Sequence, residues 1–184
     1  MSLYVRLVGP GRPNLLFLHG LFGQGRNWSG IATGLLPQAT SLLLDLPDHG
    51  HSPWTSRVSY VDMADAVAHE LTERLGSAAS VTLVGHSMGG KVAMVLALRH
   101  PELVKGLVVV DIAPDDSSHG YGFGHIVHAL RSVELDGLRG RGAASEAIAD
   151  EVPDPVVRDF LLQNLRHKKA TWALAPAVRT RCGI

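Results

Sequence analysis

A chain of 184 residues, 46% of them hydrophobic, is long enough for one buried core and too short for two ordinary domains, so one compact unit with an appendage is expected. Lysine plus arginine and aspartate plus glutamate each number 17, which leaves no net field to gather nucleic acid or an anionic membrane surface. The single cysteine, Cys182, excludes an intrachain disulfide, and neither a signal peptide nor a run of the ~18 apolar residues that a bilayer span needs is visible, so a soluble cytoplasmic protein is expected.

Leu3 to Val8 and Leu15 to Leu18 read as strands, followed by a weak helical pattern from Trp28 to Leu36 and a third strand from Leu42 to Leu46. Tyr60, Ala64, Val67, Leu71 and Leu75 recur at three- and four-residue intervals, which predicts a helix stopped by Gly76. Val81 to Val84 predicts a fourth strand, Met88 to His100 a helix ended by Pro101, and Leu107 to Val110 a fifth strand. The last four strands lack polar alternation, the mark of strands covered on both faces. Strands alternating with helices give an α/β class, a mostly parallel sheet flanked by helices, over residues 1–114.

After Pro114 the β-branched runs stop. Ile126 to Leu135, Ala143 to Glu151 and Pro155 to Leu165 predict helices, and no further strand is visible. Residues 115–184 therefore read as a helical cap and a C-terminal tail, suited to covering the carboxyl ends of the strands, where open α/β sheets bind ligands.

The chemistry centres on Gly85, His86, Ser87, Met88, Gly89, a G-x-S-x-G pattern between a predicted strand and a predicted helix. A serine on such a turn is exposed as a nucleophile, with small residues two positions either side to let strand and helix approach. The bland alternative is a serine capping the helix. A nucleophilic Ser87 needs donors for the oxyanion that forms: the amide of Met88, and a second from the turn after an earlier strand. His19-Gly20-Leu21-Phe22-Gly23 suits that turn, with Leu21 as donor, Phe22 lining the pocket and His19 bracing the loop rather than acting as base. Phe22, Trp54 and Phe123 are candidates for an acyl pocket or for ordinary packing. No metal or cofactor is implied: His49-x-His51 is the nearest thing to ligand spacing, and loop bracing accounts for it.

His19–Gly23, Asp45–Ser52, Gly85–Lys91 and Val110–Pro114 together resemble the α/β-hydrolase superfamily in order and spacing, and the HGLFG, GHSMGGK and DIAP segments are similar to those of YbfF-type bacterial carboxylesterases and their mitochondrial relatives. The resemblance implies a serine carboxylesterase acting on a small-molecule ester of small to medium acyl length, with Asp111 as the acid that orients a histidine; a turn-capping Asp111 is the alternative. It implies a structural role for Asp45. In that group the catalytic histidine comes near the C-terminus, after two further strands, and none of the ten histidines here stands in such a context; His119, His125 and His128 are substitutes at most, while His86 has an elbow role. The chain therefore reads as the first part of a hydrolase, incomplete at its C-terminus, with an exposed sheet edge through which it would form homo-oligomers. Carbon–carbon bond hydrolysis or a lyase step on the same fold is one rival reading, and a non-catalytic binding module is another.

Overall fold

The computed structural model describes residues 2–57, 59–115, 123–168 and 171–174. Five strands, β1 (Val5–Val8), β2 (Leu15–Leu18), β3 (Ser41–Leu44), β4 (Val81–His86) and β5 (Val104–Val110), form one sheet in the order β1-β3-β2-β4-β5. β1 runs antiparallel to β3, and all other pairings are parallel. Three helices, α1 (Ser29–Gly34), α2 (Tyr60–Leu75) and α3 (Met88–Arg99), complete this first unit, Met1–Pro114.

Alternation along the strands sends side chains to two cores. Leu16, Leu18, Leu42, Leu44 and Leu83 pack with Met63, Val67 and Leu71 of α2 and Val92 and Leu96 of α3; Phe17 and Leu43 pack on the other side with Ala32 of α1 and Trp28. Each such leucine or phenylalanine, buried almost completely, contributes about 2 kcal/mol. α2 starts where the Ser59 hydroxyl accepts the Asp62 amide, and Gly76, at φ 82°, stops it.

One expectation fails in this unit. The last of the strands predicted to be covered on both faces, β5, exposes Leu107, Val108 and Val110 at 40%, 47% and 36%. β5 ends the strand order, and among the described residues only β4 pairs with it. Its composition suits a central strand; its position is an edge, which local sequence does not encode.

Asp65 clasps α2 to the end of α3. Arg99 donates to its two carboxylate oxygens from Nε and Nη2, both at 2.9 Å, and His100 Nε2 lies 2.9 Å from Oδ1. The Arg99 hydrogen bonds first, and that of His100 next, hold the Asp65 carboxyl down to about 2, against an ordinary 3.8. A depressed carboxyl contributes stability that is complete above its unfolded value and is lost as the pH falls through the folded one. The thermal midpoint of Asp65→Asn is therefore expected to drop less than that of wild type between pH 5 and pH 2. The carboxylate is half-exposed, so the difference is small, and parallel drops in differential scanning fluorimetry would refute it.

The second unit, Asp115–Ile184, holds α4 (Phe123–Ser132), α5 (Arg141–Ala147) and α6 (Pro155–Leu162). Its three helices fall near the predicted segments, each ending three or four residues early. α6 begins with the Asp154 carboxylate accepting the Val156 amide at 2.8 Å and proline in the first turn. The expectation of no strand after Pro114 is overturned: β6 (Leu165–Lys168) and β7 (Thr171–Leu174) pair antiparallel. Arg141 ties this hairpin to α6, donating to the Leu162 and Leu165 carbonyls at 3.2 and 2.8 Å with its guanidinium 5.9 Å from the Trp172 ring centre. The hairpin was invisible because Leu165, Arg166, His167, Lys168 is charged and has no β-branched residue.

Candidate active site

Strand register decides what meets at the carboxyl edge of the sheet. Leu18 lies opposite Gly85, and His86 opposite Val110, so the segments beginning at His19, Ser87 and Asp111 leave three neighbouring strands at one edge. Four non-glycine residues among those described have a left-handed φ: Phe22 (62°) after β2, Asp48 (65°) after β3, Ser87 (50°) after β4 and Asp111 (56°) after β5. Each parallel strand is thus followed by one. Such conformations cost about 1–3 kcal/mol apiece and collect where geometry matters more than stability.

Ser87 stands at the N-cap position of α3, and its side chain makes no capping hydrogen bond, which removes the bland reading of this serine. Its backbone is held instead. The Ser87 amide donates to the Val110 carbonyl at 3.0 Å, and the Ser87 carbonyl accepts from Gly90 and Lys91 at 2.8 and 3.1 Å. The turn closes because two residues lack a Cβ. At Gly85 that atom would overlap the Gly89 carbonyl, and at Gly89 it would lie 2.5 and 2.6 Å from the Leu18 and His19 carbonyl oxygens.

The turn after β2 runs against this elbow. A Cβ on Gly20 would come within 3.4 Å of Ser87 Cβ and 2.9 Å of His86 Nδ1. His19, buried beneath, braces the turn with both ring nitrogens. The Leu46 amide donates to Nε2 at 3.0 Å, so Nδ1 carries the proton and donates to the Gly20 carbonyl at 2.8 Å. Burial first, and neighbouring His49 second, push the His19 imidazole down to about 3 against the pull of its hydrogen bond to Gly20. A neutral ring with both nitrogens engaged has no lone pair for a serine proton. Burial likewise lowers His49, whose Nδ1 donates to the Pro47 carbonyl at 2.9 Å. Among the described residues the amides of Leu21 and Met88 donate to no acceptor. At Met88 this is the normal state of a first-turn helix amide.

Asp45 anchors the loop beside the site. Its carboxylate, 3% exposed, accepts the Gly25 amide at 2.7 Å and the His51 amide at 2.8 Å, with His51 Nδ1 at 3.3 Å. Asp48 ties the loop further, accepting the Thr55 amide and hydroxyl at 2.7 and 2.8 Å. Phe22 is buried, Trp54 is exposed, and the side chain of Phe123 lies outside the described residues.

Asp111 carries an exposed carboxylate whose Oδ2 lies 3.8 Å from His86 Nε2. Sequence reasoning missed this pairing, because it depends on His86 standing opposite Val110 across β4 and β5. The other histidines have other settings. His69 is exposed on α2, His100 belongs to the Asp65 clasp, His125, His128 and His167 lie in the second unit, and His119 is outside the described residues. Among the described residues no group of three His, Cys, Asp or Glu could hold a metal ion, and no helix is long and apolar enough to cross a membrane.

The chain is similar in sequence and in fold to known proteins. The chain is 38% identical over 169 residues to the sn-1-specific diacylglycerol lipase ABHD11 of Xenopus tropicalis, covering 89% of this chain and 52% of that protein. It is 36% identical over 168 residues to a Saccharomyces cerevisiae protein named "Probable alcohol acetyltransferase", covering 88% and 49%. Among solved structures a marine microorganism esterase superposes with a TM-score of 0.88 at 32% identity, over 96% of this chain and 69% of that one. The chain thus spans about half the length of the curated relatives it matches. Residues 13–131, well over half the chain, match the family described as alpha/beta hydrolase fold: the chain belongs to the alpha/beta hydrolase family.

Proposed function

We propose that this chain carries the nucleophile and oxyanion portion of a serine ester hydrolase acting on small to medium acyl esters. Ser87 attacks the acyl carbonyl, the amides of Leu21 and Met88 receive the oxyanion, and the acyl group rests on Ser87 Oγ until an acceptor removes it. The observation that carries this reading is the backbone of Ser87, at φ 50° and ψ −117°, with a side chain unused by the helix it precedes. Asp111, at the end of the neighbouring strand, supplies the carboxylate that orients an imidazole. Relatives named for a lipase and for an acetyltransferase support acyl transfer, with water or an alcohol as the acceptor.

The test is the intact mass of the chain after exposure to a fluorophosphonate. An adduct on wild type and none on Ser87→Ala is expected, with unchanged thermal midpoints. A folded wild type that takes no adduct would refute an activated Ser87 and leave a binding module. Diluting the acetylated enzyme into ethanol and water then identifies the acceptor from the product, ethyl acetate or acetate.

A further inference from the structure

We propose that His49 is an acid-operated catch on the turn that carries Leu21: neutral, it holds the loop after β3 closed, and a proton on its Nε2 opens that loop and slackens the turn while the sheet stays folded. What the slackening does to catalysis rests on the reading of the Leu21 amide as an oxyanion donor; the opening itself does not. Three observations carry it. First, His49 is 3% exposed, and its Nε2 has no hydrogen-bond partner. Nδ1 donates to the Pro47 carbonyl at 2.9 Å, so Nε2 is the bare lone pair of a neutral ring. A proton there would be a buried donor with nothing to receive it. The carboxylates that bear on His49, Asp48 and Asp45 of its own loop, are engaged by the Thr55 amide and hydroxyl and by the Gly25 and His51 amides. From the turn after β2 its neighbour is the His19 ring, 5.2 Å away between centres, whose two nitrogens are both in use.

Second, the backbone at His49 is a corner rather than a ladder. His49 lies between two left-handed residues, Asp48 at φ 65° and Gly50 at φ 53°. Its amide donates to the Leu46 carbonyl at 3.1 Å, and its carbonyl accepts the Ser52 amide at 3.0 Å, so two tight turns share it. Third, Leu46 passes any movement on. The Leu46 amide donates to His19 Nε2 at 3.0 Å, and His19 Nδ1 donates to the Gly20 carbonyl at 2.8 Å. That carbonyl also accepts the Gly23 amide at 2.9 Å, which closes the turn around Leu21. A displaced His49 therefore reaches the Leu21 turn through three hydrogen bonds in series. In the closed loop burial keeps the ring from taking a proton; once the loop opens, the ring takes it at its ordinary 6.5. Below that pH each unit favours the open form by about tenfold. The proton comes from solvent and returns to it, so the catch is reversible.

The experiment is native-state hydrogen exchange of the chain, read residue by residue by NMR at pH 6 and pH 5, for wild type and His49→Asn. Asparagine keeps a nitrogen donor for the Pro47 carbonyl and takes no proton. In wild type the amides at positions 23, 46, 49 and 52 are expected to be less protected than the paired amides of β2 and β4 by about tenfold or more, which marks an opening smaller than unfolding. Between pH 6 and pH 5 protection at those four positions should fall by about tenfold more in wild type than in His49→Asn. Equal protection of loop and strands overturns the proposal, because the loop then opens only with the whole sheet, and this comparison needs no variant. The same pH dependence in both proteins overturns it too, as does a Gly23 amide that does not follow Leu46. Nothing reacts at Ser87 in this measurement, so a chain that takes no fluorophosphonate would refute the nucleophile and leave the catch standing.

Discussion

Gly89→Ala is expected to destabilise the protein by about 2–3 kcal/mol and to abolish labelling of Ser87, although alanine is the better helix former. Two effects oppose each other. Alanine inside a helix gains at most ~1 kcal/mol over glycine. The added methyl, however, would stand 2.5 and 2.6 Å from the carbonyl oxygens of Leu18 and His19, which belong to a central strand and its turn and have no freedom to withdraw. Overpacking against fixed backbone costs about 1–3 kcal/mol or more, and relieving it moves α3 away from β2, carrying Ser87 out of line with the turn that bears Leu21. Gly30, on α1, is the internal control: a Cβ there meets nothing within 4 Å, so Gly30→Ala should stabilise by about 0.5–1 kcal/mol. Urea unfolding of the two variants checks the pair. Shifts of the same sign would show that propensity, rather than contact with the β2 carbonyls, governs position 89.

A second large effect concerns acid. His19 is held to about 3 in the fold and returns to its ordinary 6.5 when the chain unfolds. Above pH 6.5 both states are neutral, and the group has no influence on stability. As the pH falls from there toward 3, the unfolded state binds a proton that the folded state refuses, and stability declines at about 1.4 kcal/mol per pH unit. By pH 4.5 the loss is roughly 2–3 kcal/mol, a large share of what a domain possesses. His49, also lowered by burial, acts in the same direction. The window overlaps that of Asp65 only between about 3.8 and 3, so a comparison of pH 7 with pH 4.5 reads His19 largely apart from Asp65. A urea midpoint unchanged between pH 7 and pH 4.5 would refute the account, as would a midpoint that begins to fall only below pH 4.

How much of this was open to a reader of the sequence depended on how local the cause was. α2 was legible from Tyr60 to Leu75, because its apolar periodicity and the Gly76 stop lie on the helix itself, while the Ser59 cap is seen in the structure. The elbow was legible for the same reason: glycine, serine and glycine state their steric requirement within five residues. The composition of β5 alone did not say where it lies, since a valine-rich strand reads alike at the centre and at the edge of a sheet; only the expectation of an exposed sheet edge pointed there. The His86–Asp111 pair was not legible, being made by the register of β4 against β5 across 25 positions of chain. The two bonds of His19 were half legible. Its bracing role followed from the turn, while the Leu46 amide that fixes its tautomer comes from the loop after β3.

The four left-handed residues at the carboxyl edge bear on how this protein would respond to selection. Together they represent several kcal/mol that a relaxed backbone would recover, comparable with the net stability of an ordinary domain. Thermal stability and the shape of the edge therefore make opposite demands at Phe22, Asp48, Ser87 and Asp111. A library enriched for heat resistance alone would drift toward glycine and asparagine at these positions and toward rigidity elsewhere. One enriched for turnover would keep the strain and recover its losses in the two cores.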